Sequence, residues 1–251
     1  MFDYWIPPRA VIGKGDGSGG SGGGVATLKG KIAAAYDLTS GSTTTDAVAG
    51  NNLTNNGVTT FVAGGTPSGY GQFVTASSQY LSRATTPALE VAAGQSFMIS
   101  AWVYLDNLIT DNKVVVGKDL LGAREYNLYH GQVSNAFAFF VTTSTGLQQI
   151  TNVSVTPVVS TWYHLLAWFD AGLQTVNLVI NNGTLNSAAA TGNAVVTTTE
   201  FNIGRIAYVG ANQYMGGRIT RVALGRFVPT AAEIAHLYNA GAGRLYSEIT
   251  I

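Results

Sequence analysis

Residues Gln213–Gly241 read QYMGGRITRVALGRFVPTAAEIAHLYNAG. Val222 and Leu224 alternate with Arg221, Ala223 and Gly225, the period of a half-buried strand. Ile219 is out of phase with that pair, which places a β-bulge near Thr220. Thr230 then stands three residues before Glu233, a capping-box spacing, with Pro229 just ahead of it. Ile234, Leu237 and Tyr238 share one helical face, and Gly241 is placed to close the helix in a left-handed conformation. The stretch therefore predicts a strand, a turn and one short amphipathic helix.

Upstream of it the pattern is strand after strand. In Phe97–Leu105, Phe97, Ile99, Ala101, Val103 and Leu105 face one way and Met98, Ser100, Trp102 and Tyr104 the other. Both faces carry apolar groups, so this strand is central and covered on both sides. Lys31–Leu38 and Gly71–Leu81 precede it, the latter as a strand with a turn. Lys113–Gly117, Glu125–His130, Asn135–Thr142, Tyr163–Asp170, Thr175–Asn181 and Glu200–Arg205 follow. Asp46–Val58 reads as a polar turn, and Asn181-Asn182-Gly183 as a hairpin turn. Short strands without intervening helices predict an all-β, antiparallel two-sheet sandwich of jelly-roll type.

Composition narrows the function classes. The chain has 251 residues, 46% hydrophobic but only 10% charged, against roughly 25% charged in ordinary globular domains. Thirteen basic and 13 acidic residues balance to zero, so no electrostatic drive toward nucleic acid or an anionic membrane exists. Cysteine is absent, which excludes a disulfide framework and thiolate metal sites. No apolar run approaches the roughly 18 residues of a membrane-spanning helix. The opening MFDYWIPPRAVIGKG has neither a basic start nor a continuous apolar centre, so no secretory signal is expected.

Three segments divide the chain. Residues 1–12 concentrate Phe2, Tyr4, Trp5, Ile6, Pro7 and Pro8, a density that suits a docking peg, since aromatic groups dominate interface hot spots. The same residues could pack back on their own domain. Residues 13–24, GKGDGSGGSGGG, read as a flexible tether. Their glycines lack the GxxxxGK[ST] spacing and strand–helix context of a phosphate loop. Residues 25–251 form the predicted sandwich.

Taken in order, SFMISAWVY (96–104), TWYHLLAW (161–168), LVINNG (178–183), FNIGR (201–205) and GRITRVALGRFVPTAAEIAHLYN (217–239) resemble the laminin-G-like, concanavalin A-like lectin/glucanase jelly rolls. Tyr36-Asp37-Leu38 and Asp46–Val58 look like that family's opening strand and polar turn. The resemblance covers roughly residues 30–242 and implies a jelly roll with the 230–239 helix plugging one end. Trp162 would cap the core edge with its indole N–H on a partner. His164 reads as a structural histidine, and Gly204 and Gly217 as sites of close backbone approach or bending.

Some members of that fold hydrolyse glycosides, using two carboxylates roughly 5 to 9 Å apart, in the related glucanases on an E-x-D-x-x-E strand. No such pattern occurs here: Glu90, Glu125, Glu200, Glu233 and Glu248 are isolated, and Asp119 with Glu125 is the nearest mixed pair. His130, His164 and His236 show no metal-ligand spacing, and no G-x-S-x-G elbow is present. The resemblance implies calcium as the ion to consider, with Asp37, Asp46, Asn51 and Asn52 as hard oxygen donors; the same residues also suit plain turn geometry. The family's acidic residue in the last strand is replaced by Thr220 or Arg221. Tyr126, Asn127, Tyr129 and His130, with Tyr208, Asn212, Gln213 and Tyr214 elsewhere, are the glycan-binding candidates. The sequence reading is thus a non-enzymatic virion protein, a phage capsid decoration or accessory protein. It would dock by its N-terminal segment on other virion proteins, as a homo-oligomer, and display a jelly-roll head. The alternative is a lectin-like module, virion-borne or extracellular, for host or surface glycans.

Overall fold

A computed structural model describes residues 26–91, 93–108, 112–207 and 213–251. In chain order the strands are β1 (Ile32–Tyr36), β2 (Thr54–Asn56), β3 (Thr60–Val62), β4 (Tyr70–Phe73), β5 (Tyr80–Arg83), β6 (Phe97–Leu105), β7 (Lys113–Lys118) and β8 (Tyr126–Gly131). They continue with β9 (Ala136–Thr143), β10 (Gly146–Thr151), β11 (Trp162–Asp170), β12 (Thr175–Ile180), β13 (Asn186–Ala189), β14 (Phe201–Ile203), β15 (Arg205–Ile206), β16 (Gln213–Tyr214) and β17 (Gly217–Gly225). A one-turn helix α1 (Leu28–Lys31) precedes β1, and α2 (Ala231–Tyr238) follows β17.

The first sheet runs β13-β12-β11-β6-β17-β4-β3, with β1 also paired to β17. The second runs β10-β9-β8-β7-β14-β5-β2, and β15-β16 form a separate ribbon. All the named ladders are antiparallel. Between the sheets lies the main core, to which β6 gives Phe97, Ile99, Ala101, Val103 and Leu105 and the facing sheet gives Leu128, Phe137, Phe139, Phe201 and Ile203. The opposite side of β6 is covered as well, as its double-sided apolar pattern predicts.

That second cover corrects the expected position of α2. The helix lies on the outer face of the first sheet instead of plugging an end of the sandwich. Ile234 and Leu237 pack with Met98, Leu166, Trp168, Ala223 and Leu28 in a second apolar cluster. Trp102 stacks on Tyr238 at 5.8 Å and on His164 at 5.2 Å. The cause is sequence on the outward side of β6 and β11, which would otherwise expose large apolar groups. The predicted capping box is present, with Thr230 Oγ1 accepting from Glu233 N and Glu233 Oε2 accepting from Thr230 N at 2.8 Å. The left-handed cap is Asn239, φ 49, not Gly241; the Asn239 amide donates to Gly243 O at 2.9 Å, which holds that residue in place.

The bulge near Thr220 is real. The β17–β6 register shifts between Thr220 and Ala223, and Arg221 has φ 49. The extra residue brings Ile219, Val222 and Leu224 onto the same inner side, so all three join the main core. It also marks where β17 changes partner from β4 to β1. Arg221 fills that junction, its guanidinium donating to the carbonyls of Ser68 and Gly69, while Thr220 Oγ1 donates to Asp37 O.

Other expectations need adjustment. The Asp46–Val58 turn contains β2, which pairs with β5. β10 and β13 occupy stretches that show no predicted strand; both are edge strands with polar, poorly alternating sequences. Trp162 is not a core cap. It projects from the outer face of the first sheet, and its neighbour Tyr163 enters the core. In the Asn181-Asn182-Gly183 turn both asparagines have positive φ, and Gly183 N donates to Ile180 O at 2.9 Å. Gly204 does allow a close approach: a Cβ there would lie 2.7 Å from the Phe73 ring. The docking residues Phe2, Tyr4, Trp5, Ile6, Pro7 and Pro8 and the 13–24 tether lie outside the described residues, as do Tyr208 and Asn212.

Candidate functional site

On the second sheet, residues that pair directly across neighbouring strands project from the same face. One such row crosses the whole sheet on its outer side: Gln149, Phe140, Asn127, Gly117, Asn202, Ser82 and Thr54. Its centre has no side chain. A Cβ on Gly117 would sit 3.1 Å from Asn127 Oδ1 and 3.0 Å from Tyr126 O, so only glycine leaves a slot between the two asparagines without crowding.

The β15–β16 ribbon packs against β7, with Leu120 and Ala207 bridged beside it. It partly roofs the row, so Asn127 and Asn202 are 2% and 1% exposed although they point away from the core. Asp119, Arg124, Asn127, Tyr129, Gln149 and Gln213 surround a cavity of about 60 Å³ at this place. Asp119 Oδ2 accepts from Asn127 Nδ2 at 3.2 Å, and Arg124 Nε lies 3.3 Å from Oδ1 as an ion pair without hydrogen-bond geometry. Burial pushes the Asp119 carboxyl up to about 6; Arg124 and the Asn127 amide pull the other way without overcoming it. Arg124 also lies over the Phe140 ring, and Tyr129 donates to Gln149 Oε1 at 3.3 Å.

Among the described residues, Asn127 Oδ1, Asn202 Oδ1 and Gln213 Oε1 are buried and accept no hydrogen bond. A buried acceptor left unpaired costs about 1–3 kcal/mol. Asn127 and Gln213 line the cavity and Asn202 follows beyond Gly117 in the row; the natural complement of such acceptors is a ligand rich in hydroxyl donors.

The glycan-binding candidates of one strand divide by period two. Asn127 and Tyr129 face the cavity, whereas Tyr126 and His130 point inward. Tyr126 is fully buried and donates to Leu89 O at 2.7 Å. His130 sits edge-on to Phe137 with Nε2 3.0 Å from Asn135 Oδ1, and burial lowers its pKa. Gln213 meets Asn127 and Tyr129 in the cavity; Tyr214, beside it in sequence, packs at 6.1 Å from Tyr80, whose face is covered by Arg205. The sequence reading missed Gly117, Arg124, Gln149 and Asn202. Strict alternation within Phe201–Ile203 was the available signal for Asn202.

The carboxylate pair and the calcium donors come apart. Glu125 is fully buried, 2.7 Å from the equally buried Lys118 ammonium. Its oxygens also accept from Val91 N, Thr197 N and Thr197 Oγ1, which is a structural role. Asp46 accepts five bonds, from the amides of Ala35, Val48, Ala49 and Asn51 and from Asn51 Nδ2. Burial would raise its pKa, but those donors hold the carboxyl below its usual range. N–H groups converging on both oxygens oppose a cation. Asn51 Oδ1 is taken by Thr86 and Asn52 Oδ1 by Asp46 N. Asp37 accepts from Tyr246 N elsewhere, and burial raises its pKa. The structure does not assemble Asp37, Asp46 and Asn51 into one cation cage. Among the described residues no group of three His, Cys, Asp or Glu side chains is placed to hold a metal.

His164 is structural, as expected. It is buried, 2.8 Å from Ser100 Oγ, and burial lowers its pKa to about 3.

A family model described as the concanavalin A-like lectin/glucanases superfamily matches residues 75–235. No curated protein matches the sequence. Among solved structures, domain 4 of AbnA, an extracellular GH43 arabinanase from Geobacillus stearothermophilus in complex with arabinotriose, aligns with a TM-score of 0.61 and 14% identity. That alignment covers 84% of this chain and 98% of that one. The botulinum neurotoxin serotype G binding domain aligns at 0.62 with 10% identity, over 82% of this chain and 50% of that one. A botulinum neurotoxin type C structure, whose cell entry is described as dependent upon interaction with two ganglioside molecules, aligns at 0.62 with 11% identity, over 85% and 52%. The chain thus spans about half the length of the two neurotoxin structures, and at these identities the likeness concerns the fold alone.

Proposed function

The chain belongs to the concanavalin A-like lectin/glucanase superfamily, and from that premise we propose that it is a carbohydrate-binding module. The glycan lies against the outer face of the second sheet, under the β15–β16 ribbon. The observation that carries this reading is the pair of buried, unpaired acceptors Asn127 Oδ1 and Gln213 Oε1 in the cavity wall, with a third, Asn202 Oδ1, across Gly117 in the same row. Sugar hydroxyls donate to such a set, and the small cavity admits the edge of a sugar ring, not a whole one. The arabinotriose complex of the AbnA domain supports the class of ligand by analogy of fold.

The module binds without hydrolysing. Glycoside hydrolysis requires two carboxylates flanking one bond, and among the described residues Asp119 is the one carboxylate that lines the cavity. Calorimetric titration of neutral oligosaccharides, arabinotriose first, into wild type and Asn127→Ala tests the proposal. Binding weakened about tenfold or more in the variant supports it. Absence of binding across a neutral glycan array sinks it.

A sequence observation favours a second reading. The large apolar groups of Phe2–Pro8 ahead of a glycine run suit docking on virion proteins, with the jelly roll displayed outward. Particle loading that persists after removal of residues 1–24 would end that reading.

A further inference from the structure

A second row projects from the opposite side of the molecule. On the outer face of the first sheet, Trp162, Tyr104, Arg218, Gln72 and Thr60 pair in succession across β11, β6, β17, β4 and β3. Two rings flank one cation there, and a third packs on both. The Arg218 guanidinium lies 4.2 Å from the Tyr104 centroid and 4.8 Å from that of Tyr70, and Trp162 lies 5.5 Å from Tyr104 and 5.8 Å from Tyr70. All four side chains are partly exposed.

The guanidinium is held at one end only. Arg218 Nε donates to Gln72 Oε1 at 3.1 Å, and Gln72 Nε2 is anchored on Gly217 O and Asp106 Oδ2. No carboxylate among the described residues forms an ion pair with Arg218. Asp106, the nearby acid, is engaged by Gln72 instead. The row therefore offers a cation fixed in orientation by two rings and an amide, its two outer nitrogens making no hydrogen bond among the described residues. A planar fork of that kind matches a carboxylate with two parallel hydrogen bonds. Beside it, the indole of Trp162 offers a flat apolar surface on which the C–H face of a pyranose packs.

We propose that Trp162, Tyr70, Tyr104 and Arg218 form a second binding site, specific for a carboxylated sugar such as a uronic or sialic acid residue. The carboxylate takes the outer edge of Arg218 and the ring rests on Trp162. This site is independent of the neutral-glycan cavity, from which the whole thickness of the sandwich separates it.

Titration calorimetry with tetragalacturonic acid, its methyl ester and 3′-sialyllactose tests it. One of the two acids is expected to bind wild type, at least about tenfold more tightly than an uncharged counterpart. Trp162→Ala and Arg218→Gln should each weaken that binding about tenfold or more, and Asn127→Ala should leave it unchanged. Arg218→Lys keeps the charge and loses the fork; lost preference for acid over ester at an unchanged melting temperature supports the site even where Arg218→Gln proves unstable. Failure of both acids to bind, equal affinity for acid and ester, or binding that survives Trp162→Ala overturns the proposal. Loss of acid binding in Asn127→Ala also overturns it, and places the acidic sugar in the other cavity.

Discussion

The two outward rows lie on the outer faces of opposite sheets and differ in what covers them. The Asn127–Gly117–Asn202 row is roofed by the β15–β16 ribbon, so its amides are desolvated, and two acceptors of the row and one of the roof, Gln213 Oε1, stay unpaired. The Trp162–Tyr104–Arg218 row is partly exposed, and ring and amide contacts hold its groups while water reaches the outer edge of Arg218. Burial makes a polar row demanding of a partner, because an unpaired amide away from water is costly. Exposure leaves an aromatic row cheap to maintain and ready to bind. One sandwich thus carries two outward surfaces of different chemistry.

The largest expected effect separates the rows by what supports them. β7 and β8 carry Gly117 and Asn127, and Lys118 and Glu125 tie those strands' ends together in the interior. Lys118→Met strands a buried carboxylate and should cost about 3–5 kcal/mol of unfolding free energy in urea titrations. Arg218→Gln, on the open row, should cost under about 1 kcal/mol. Similar losses for both would break the comparison.

Next is a contrast in pH. His164, behind the first sheet, has its pKa lowered to about 3 by burial. Its contribution is therefore present above the unfolded value of about 6.5 and is lost as pH falls through that window toward 3. Asp119, at the second sheet, is raised to about 6. Its contribution is present below about 3.8 and is lost as pH rises through 6. Thermal melts from pH 4 to 7 should show Asp119→Asn gaining stability over wild type toward neutral pH, by a few kcal/mol at most. A variant whose difference from wild type is flat across that range would remove Asp119 from the account.

A finer test sharpens the covered row. Gly117→Ala crowds Asn127 Oδ1 and Tyr126 O, and should weaken neutral-glycan binding about tenfold while the far-ultraviolet spectrum stays native. The smallest effect belongs to the open row: Trp162→Ala should change stability by about 1 kcal/mol or less, as a partly exposed ring outside the core, and leave neutral-glycan affinity untouched. A larger loss would mean that the ring serves packing first.

Local chemistry was legible in the residues. Thr230 and Glu233 cap α2 as their spacing requires, since both partners sit within one helical turn. The phase slip between Ile219 and Val222 announced the bulge. Alternation in Tyr126–Gly131 could have sorted Asn127 and Tyr129 outward from Tyr126 and His130. Other features were out of reach. Asp46 has the composition of a cation ligand, and only the return of its own loop's amides shows it to be a turn anchor. Nothing in the helix says whether its apolar face covers an end or a flank of the sandwich; Met98, Leu166 and Trp168 decide that.

By itself, then, the sequence determined the central strands, the two-sided burial of β6, the bulge and the capped helix. Each follows from side-chain period and from contacts within a few residues. Tertiary structure alone decided that Gln213 would meet Asn127, and that Trp162 would meet Tyr70 across the first sheet. Those meetings depend on strand order and register, which are set by the summed pairing and packing of distant segments, and no local pattern encodes that sum.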